Sequence, residues 1–227
     1  MGNVGRTLSE YEMTTVNGLS SAACDGVAAP EFCSGLAIVS KHPIQQIDFT
    51  GFSDHGDLFW DYEYFLRRGV ARVRLEPSPG YSVDLVLTSL ASLDYNHWYR
   101  ESQTAQLLKL LQQSDADHLI LAGDLNVDPG DHEKTYNAIS STLVDSFKEF
   151  YKNYPSKYTD KNFATLGNPQ NTYTEKDQSA VIYDYIFYKK EGITLTDFKV
   201  LNLKTKKEEL SISDHQALSA KFTLSKP

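Results

Sequence analysis

Short apolar segments alternate with turn-forming residues along the first hundred residues. Period-two alternation over residues 69–75 predicts a strand, and the turn at Pro77–Gly80 leads into a second strand over 82–89, so the two form a hairpin. Two more strands are predicted upstream, over residues 35–40 and 44–52. The uninterrupted apolar run from His118 to Ala122 is typical of a central strand.

Helical periodicity begins after the hairpin. Asn96 is a plausible N-cap, and apolar or small residues follow at helical spacing: Thr104, Leu107, Leu108 and Leu111. The later patterns predict helices over 131–140 and 144–154, and strands over 181–188 and 217–224. These elements predict a mixed α/β layered fold in which loops carry most of the polar residues.

Composition narrows the class of protein. The chain has 227 residues, of which 41% are hydrophobic, which is enough to form a core and suits one domain. It has 22 Lys and Arg against 30 Asp and Glu, a net charge of −8. This excess of negative charge argues against a protein that binds nucleic acid mainly by neutralising its phosphates. It does not exclude an enzyme that binds phosphate through a metal ion.

The chain has two cysteines, Cys24 and Cys33, in a stretch rich in Gly, Ala and Ser. They are either two buried thiols or a disulfide that closes a small loop. A disulfide implies an oxidising compartment, which favours a secreted or extracellular protein. Two reduced cysteines in a cytosolic protein fit the same sequence.

Polar clusters follow several predicted strands. Asp124 and Asn126 come directly after the apolar strand, where they can hold a metal-bound water or a developing oxyanion, or simply form an Asx turn. Asp184 lies inside an aromatic strand and needs a partner if it is buried. The Ser213–His215 segment offers a candidate general base. The loop at 167–173 is either a phosphoryl contact or an ordinary turn.

The order of these motifs is more specific than any one of them. An apolar strand ending in Gly-Asp-Leu-Asn, an Asp flanked by tyrosines, and Ser-Asp-His before the last strand resemble the endonuclease/exonuclease/phosphatase superfamily. Within it, three stretches resemble the neutral sphingomyelinase branch: residues 34–44, the His55-Gly56-Asp57 loop, and residues 93–96. The resemblance implies an α/β sandwich of two mixed β-sheets that pack face to face and are flanked by helices.

The resemblance also implies roles for individual residues. Asp124 and Asn126 match the residues that position the phosphoryl group and the nucleophilic water. His215 matches the base that activates the water, and Asp184 matches the residue that orients it. Asp214 matches a residue beside the metal, for which Mg²⁺ is the simplest cation because hard cations prefer oxygen ligands.

One departure from the family pattern concerns a second catalytic histidine. The family carries it in a Thr-His-Leu segment, but this chain reads Thr88-Ser89-Leu90. A serine hydroxyl donates a hydrogen bond but cannot carry the charge of an imidazolium. Ser89 is therefore a degenerate catalytic position, and the chain is expected to turn over slowly or to be a pseudoenzyme.

The other departure lies at the front of the chain. The family's metal-binding Glu lies on a strand ahead of the segment that corresponds to Ser34–Ile44, and no matching pattern occurs in the first 33 residues. We therefore interpret residues 1–33 as an extension or loop and 34–227 as the domain, shortened at its N-terminus relative to the family. The chain is a fragment, or needs a complementary or identical second chain, or no longer catalyses.

Three functions follow. The first is a metal-dependent phosphodiesterase of sphingomyelinase type, acting on a phospholipid or another phosphodiester, with weak activity. The second is a non-catalytic homologue that binds a ligand or protein partner. The third is a nuclease, which the net charge of −8 disfavours. The aromatic stretch Phe59–Phe65 is either core packing beneath a loop or a peripheral membrane contact.

Overall fold

The computed structural model describes residues 35–54, 56, 63, 66, 68–92, 96–129 and 134–226, together with the backbone of 12–16. The predicted pairing of Cys24 with Cys33 lies outside these residues, as do His55, Asp57 and most of the aromatic stretch. The chain divides into two compact units, and the boundary between them lies between Ala122 and Gly123. Each unit is described separately.

The first unit is built mainly from strands. They are β1 (Glu12–Val16), β2 (Leu36–Ser40), β3 (Ile44–Gly51), β4 (Gly69–Ser78), β5 (Tyr81–Ser89) and β6 (His118–Asp124), whose last two residues belong to the second unit. Strands β1 and β2 form an antiparallel pair, and the others lie in the order β3-β4-β5-β6. Strand β1 falls within the predicted extension of 1–33, whose boundary stays a prediction.

The β4–β5 hairpin forms as the alternation predicts. Val73 and Val86 are buried on it, and the turn closes at Gly80, whose φ of 78° is readily adopted by glycine. Asp84 is also buried on β5, and Arg74 of β4 pairs with its carboxylate at 2.5 Å. The pairing allows a charged residue inside an otherwise apolar strand.

Helix α1 (His97–Leu111) begins directly after Asn96, as predicted. The Asn96 side chain makes no capping hydrogen bond and instead donates to the Ser92 carbonyl at 2.8 Å. The buried face includes Leu107 but also the polar side chain of Gln103, which accepts from the Ala91 amide at 2.8 Å. None of the described helices combines the length and apolar character needed to cross a membrane.

The second unit contains helices α2 (Lys134–Ser140) and α3 (Ser146–Phe150), two short 3₁₀ helices (Pro155–Thr159 and Lys161–Phe163), and strands β7 (Val144–Asp145), β8 (Asp184–Tyr188), β9 (Ile193–Leu201) and β10 (Ala217–Leu224). Strand β7 pairs with β8 and β9 pairs with β10, both antiparallel. The sequence interpretation did not include β9. Aromatic side chains form much of the core, including Phe187 and Phe198.

The helix predicted over 144–154 is wrong in its extent. Residues 144–145 pair with β8, and the helix covers only Ser146–Phe150. The helix begins at Ser146 because the side chain of Asp145 accepts a hydrogen bond from the Phe147 amide at 2.8 Å and so acts as its N-cap. A residue that caps a helix has extended backbone, so it can end a strand at the same position.

Candidate active site

Asp124 is the last residue of β6, and Asn126 follows in a tight turn. The Asn126 amide donates to Asp124 Oδ1 at 2.9 Å, and its Nδ2 donates to Asp124 Oδ2 at 3.1 Å. Asn126 has a φ of 51°, in the left-handed region that Asn tolerates better than most residues. The Asx turn weighed from the sequence is therefore present, and it also fixes the two polar side chains against each other.

Asp184 and His215 form a hydrogen-bonded pair. Asp184 begins β8, His215 lies two residues before β10, and His215 Nδ1 is 2.7 Å from Asp184 Oδ2. The two side chains are 23% and 25% exposed, so the pair is reachable from solvent. Because the carboxylate engages Nδ1, proton transfer to a substrate or water would use Nε2.

The surrounding carboxylates raise the pKa of His215 to about 9. The hydrogen bond that His215 Nδ1 donates to the Asp184 carboxylate is the largest cause of the increase, burial lowers the pKa, and the charges of Asp184, Asp124 and Asp214 raise it further. In the protein without a metal ion, the imidazole is therefore protonated at neutral pH. It can accept a proton from water only in the neutral form, so its activity as a base rises with pH through this value.

This shift can be measured directly. We expect the His215 ring to titrate near pH 9 in metal-free protein, and the Asp184→Asn variant to lower that pKa towards the ordinary value because the carboxylate charge is removed. Proton NMR of the histidine ring signals gives both values. An unchanged His215 pKa in Asp184→Asn would contradict the pairing.

Asp124, Asp184 and His215 together could hold a metal ion. One potential ligand atom from each residue lies within 4.8 Å of the others. The two carboxylates are hard oxygen donors, which suits a divalent cation such as Mg²⁺. The increased pKa of His215 is consistent with a negative potential at this point, which favours a cation. The two carboxylates therefore fit the metal that the family resemblance implies, and His215 is left for proton transfer.

Asp214 precedes His215 in the chain and lies at the surface of the protein. Its carboxylate is exposed, and Oδ1 accepts from the Ser213 hydroxyl at 3.3 Å. Within the described part of the chain, Asp214 does not belong to the candidate metal group. It contributes charge to the surroundings of His215, while its role as a ligand stays a prediction.

The loop at 167–173 supports the segment that carries His215. Asn171 is buried, and its Nδ2 donates to the carbonyls of Ser213 and Asp214 at 2.9 and 3.1 Å. Asn168 is also buried, and its Nδ2 donates to the Ala164 carbonyl at 2.9 Å. Because both amide groups bond to backbone carbonyls, the structure favours the turn interpretation over a phosphoryl contact.

Ser89 lies at the end of β5 in the first unit, in a network of charged groups. Arg68 Nη1 donates to Ser89 Oγ at 2.6 Å, and its Nη2 donates to Glu63 Oε1 at 2.9 Å. Glu63 is 1% exposed and also accepts from the Ser92 amide at 2.8 Å. Burial raises the pKa of Glu63, but the hydrogen bonds and charge of Arg68 outweigh it, so the net pKa is lowered.

The sequence interpretation missed this network. The signal available was a Glu within an aromatic stretch, five residues before an Arg, but nothing in the pattern links either residue to Ser89 or Ser92. Position 89, where the family resemblance predicts a catalytic histidine, holds a serine whose hydroxyl accepts a hydrogen bond from the permanently charged Arg68.

The sequence profile of the Endonuclease/Exonuclease/phosphatase family matches residues 25–215. The chain belongs to this family. The family acts on phosphodiester substrates, typically with a divalent metal. A comparison with curated proteins gave no match.

Several solved structures share the fold. The human Nocturnin catalytic domain with bound sulfate is 17% identical, with a TM-score of 0.67, and the match covers 99% of this chain and 76% of that one. D. rerio TDP2 complexed with a single-strand DNA product is 14% identical, with a TM-score of 0.68, covering 98% and 80%. Beta toxin 275-280 from Staphylococcus aureus is 19% identical, with a TM-score of 0.66, covering 96% and 80%. The predicted α/β sandwich class is confirmed.

Proposed function

We propose that the chain is a metal-dependent phosphodiesterase of the sphingomyelinase type, and that Ser89 limits its turnover. The observation that carries this proposal is the 2.7 Å contact between His215 Nδ1 and Asp184 Oδ2, with a potential ligand atom of Asp124 within 4.8 Å of one on each of these residues. A histidine held by a carboxylate is suited to activate water, and the adjacent acidic group is suited to a divalent cation.

Each residue of the site has a separate role in the proposed reaction. His215 Nε2 accepts a proton from the attacking water, and Asp184 stabilises the imidazolium that results. Asp124 and Asn126, locked together by two hydrogen bonds, contact the phosphoryl group and the water. When bound, a divalent cation such as Mg²⁺ would neutralise charge on the phosphoryl oxygens, with Asp124 and Asp184 among its ligands.

A short hairpin beside the site favours a substrate in a membrane. We call residues 203–212 the apolar hairpin after its exposed Leu and Ile side chains, although the same segment also contains three Lys and two Glu residues. The Thr205 amide donates to the Leu210 carbonyl at 2.8 Å, and the Ile212 amide donates to the Leu203 carbonyl at 2.9 Å. The side chains of Leu203, Leu210 and Ile212 are 45%, 43% and 61% exposed, although they are apolar.

The apolar hairpin leads directly to the catalytic segment, since Ile212 lies three residues before His215. Exposed apolar side chains grouped in this way mark an interaction surface, and a lipid surface would bury them. A lipid phosphodiester bound at that surface would lie near the chain segment that carries His215. This supports a phospholipid substrate over a soluble one.

The test compares the two kinds of substrate. We expect hydrolysis of sphingomyelin in phosphatidylcholine vesicles and of soluble bis(p-nitrophenyl) phosphate, both dependent on added Mg²⁺ and abolished by EDTA. The Leu210→Ser/Ile212→Ser variant should lose roughly tenfold in rate on vesicles, because it lacks two exposed apolar side chains that the lipid surface would bury in part. Its rate on the soluble substrate should not change.

The control is Phe150→Ser, which removes a partly exposed apolar side chain elsewhere in the second unit and should leave both rates unchanged. An equal loss on both substrates would contradict the membrane role of the hairpin. Hydrolysis of single-stranded DNA in preference to both would favour the nuclease alternative. Binding of vesicles without turnover at any metal concentration would favour the non-catalytic homologue.

A further inference from the structure

We propose that Thr165 is the positioning residue of the catalytic pair, because one buried side chain and its own backbone hold both the Asp184 strand and the His215 segment. This inference rests on the proposed function for its effect on catalysis. Thr165 is 1% exposed and follows directly after Ala164, which is also buried. It has no place in the family motifs identified from the sequence.

The hydroxyl of Thr165 holds the start of β8. The Tyr183 amide donates to Thr165 Oγ1 at 2.9 Å, and the Asp184 amide donates to the same oxygen at 3.2 Å. A hydroxyl oxygen can accept two hydrogen bonds, so one side chain satisfies both donors. The backbone of Asp184 is thereby fixed immediately next to the carboxylate that orients His215.

The backbone of Thr165 holds the other half of the pair. The Gln216 amide donates to the Thr165 carbonyl at 2.7 Å, and Gln216 follows His215 in the chain. The contacts to Asp184 and Gln216 therefore converge on one residue. The distance between His215 Nδ1 and Asp184 Oδ2 depends on where Thr165 lies.

Backbone hydrogen bonds to Val181 hold Thr165 and its neighbour in place. The Thr165 amide donates to the Val181 carbonyl at 2.9 Å, and Leu166 and Val181 form a reciprocal bridge at 3.1 and 3.0 Å. Gly167 follows with a φ of +67°, and a Cβ there would lie 2.1 Å from the Ser179 carbonyl oxygen. The close packing leaves little freedom for this segment to shift.

Asn171 is a useful contrast. It bonds to the carbonyls of Ser213 and Asp214, so it supports the His215 segment alone. Thr165 is the residue that contacts the backbone on both sides of the pair. Removing the Thr165 hydroxyl would leave the Tyr183 and Asp184 amides without this acceptor, and the strand would move to find another.

Paired substitutions test the inference. Thr165→Val removes the hydroxyl at nearly constant volume, and Thr165→Ser keeps it. We expect the valine variant to lower kcat for bis(p-nitrophenyl) phosphate by about 10²-fold, with KM nearly unchanged, because a displacement of about 1 Å in a catalytic group has an effect of this size. The serine variant should recover most of the loss.

The control is Thr104→Val. Thr104 is also buried, at 2% exposed, and lies on helix α1 of the first unit. It should reduce stability to thermal unfolding without a selective decrease in kcat. A decrease in kcat equal to that of Thr165→Val would mean that loss of any buried hydroxyl explains the result, and would overturn the inference.

A second measurement does not depend on activity. The short hydrogen bond between His215 and Asp184 should give a low-field proton resonance, which Thr165→Val shifts or removes and Thr165→Ser retains. If the wild type hydrolyses no substrate but this resonance responds as expected, the proposed function fails while the positioning role stands. If Thr165→Val leaves both kcat and the resonance unchanged, the inference is overturned.

If Thr165→Val does not fold, hydrogen exchange in the wild type tests the inference instead. Hydrogen exchange must then show the Tyr183 and Asp184 amides protected, because they donate to a buried oxygen. Exchange of both amides as fast as that of exposed loop residues would overturn the inference.

Discussion

Replacing His215 with alanine is expected to lower the rate of phosphodiester hydrolysis by about 10²–10⁴-fold, since the variant loses the group that accepts a proton from water. The remaining activity would come from Asp124, Asn126 and any bound cation. Steady-state kinetics on the soluble diester measure the loss, and the decrease should lie in kcat rather than in KM.

His97→Ala is the matched control. The imidazole of His97 is exposed on α1, so its removal should leave kcat within a factor of about two, as expected for an exposed site. Asp184→Asn should give a smaller loss than His215→Ala, because the imidazole remains but loses its carboxylate partner. Full activity in His215→Ala would remove the observation on which the proposed function depends.

Introducing a histidine at position 89, where the family resemblance predicts one, is the second substitution with a large expected effect on kcat. Ser89→His should raise kcat for the soluble diester by about 10²-fold, the lower end of the range for a general acid. The gain is limited because Arg68, whose Nη1 lies 2.6 Å from Ser89 Oγ, disfavours a second positive charge next to it. An increase of this size would show that a protonated imidazole at position 89 assists the reaction.

Ser89→Asn is the control for this variant, since it adds a hydrogen-bond donor of similar size that cannot carry a charge. It should not reproduce the gain. The gain from histidine should also decrease as the pH rises and the imidazolium loses its proton. No increase with Ser89→His, together with no Mg²⁺ binding in the parent, would leave the chain as a binding scaffold.

The local pattern of the sequence was sufficient for much of the fold. The alternation over 69–75 and 82–89 predicted the hairpin that is observed as Gly69–Ser78 and Tyr81–Ser89. The strand predicted over 217–224 is observed over the same residues. Such elements are predictable because side chains on a strand face opposite sides in turn, and burial of one face leaves a period of two in the sequence.

The errors lie where a side chain, rather than a period, decides the structure. The apolar pattern over 144–154 predicted a single long helix. It gave no sign that the Asp145 carboxylate caps helix α3 at the residue where a strand ends. The strand over 193–201 pairs with the last strand through a register shift, and its apolar residues change from odd positions (Ile193, Leu195) to even ones (Phe198, Val200), which interrupts the alternation. Hydrophobic pattern alone does not contain this information.

By itself, the sequence determined the family and the candidate residues Asp124, Asp184 and His215, because these depend on residue type and order, and it predicted that Ser89 stands where the family has a histidine. The tertiary structure decided that Asp184 and His215, 31 residues apart in the chain, lie 2.7 Å apart. It also decided that the segment around Thr165 contacts both. Such contacts join residues that no periodic pattern relates, so they become visible only when the chain is folded.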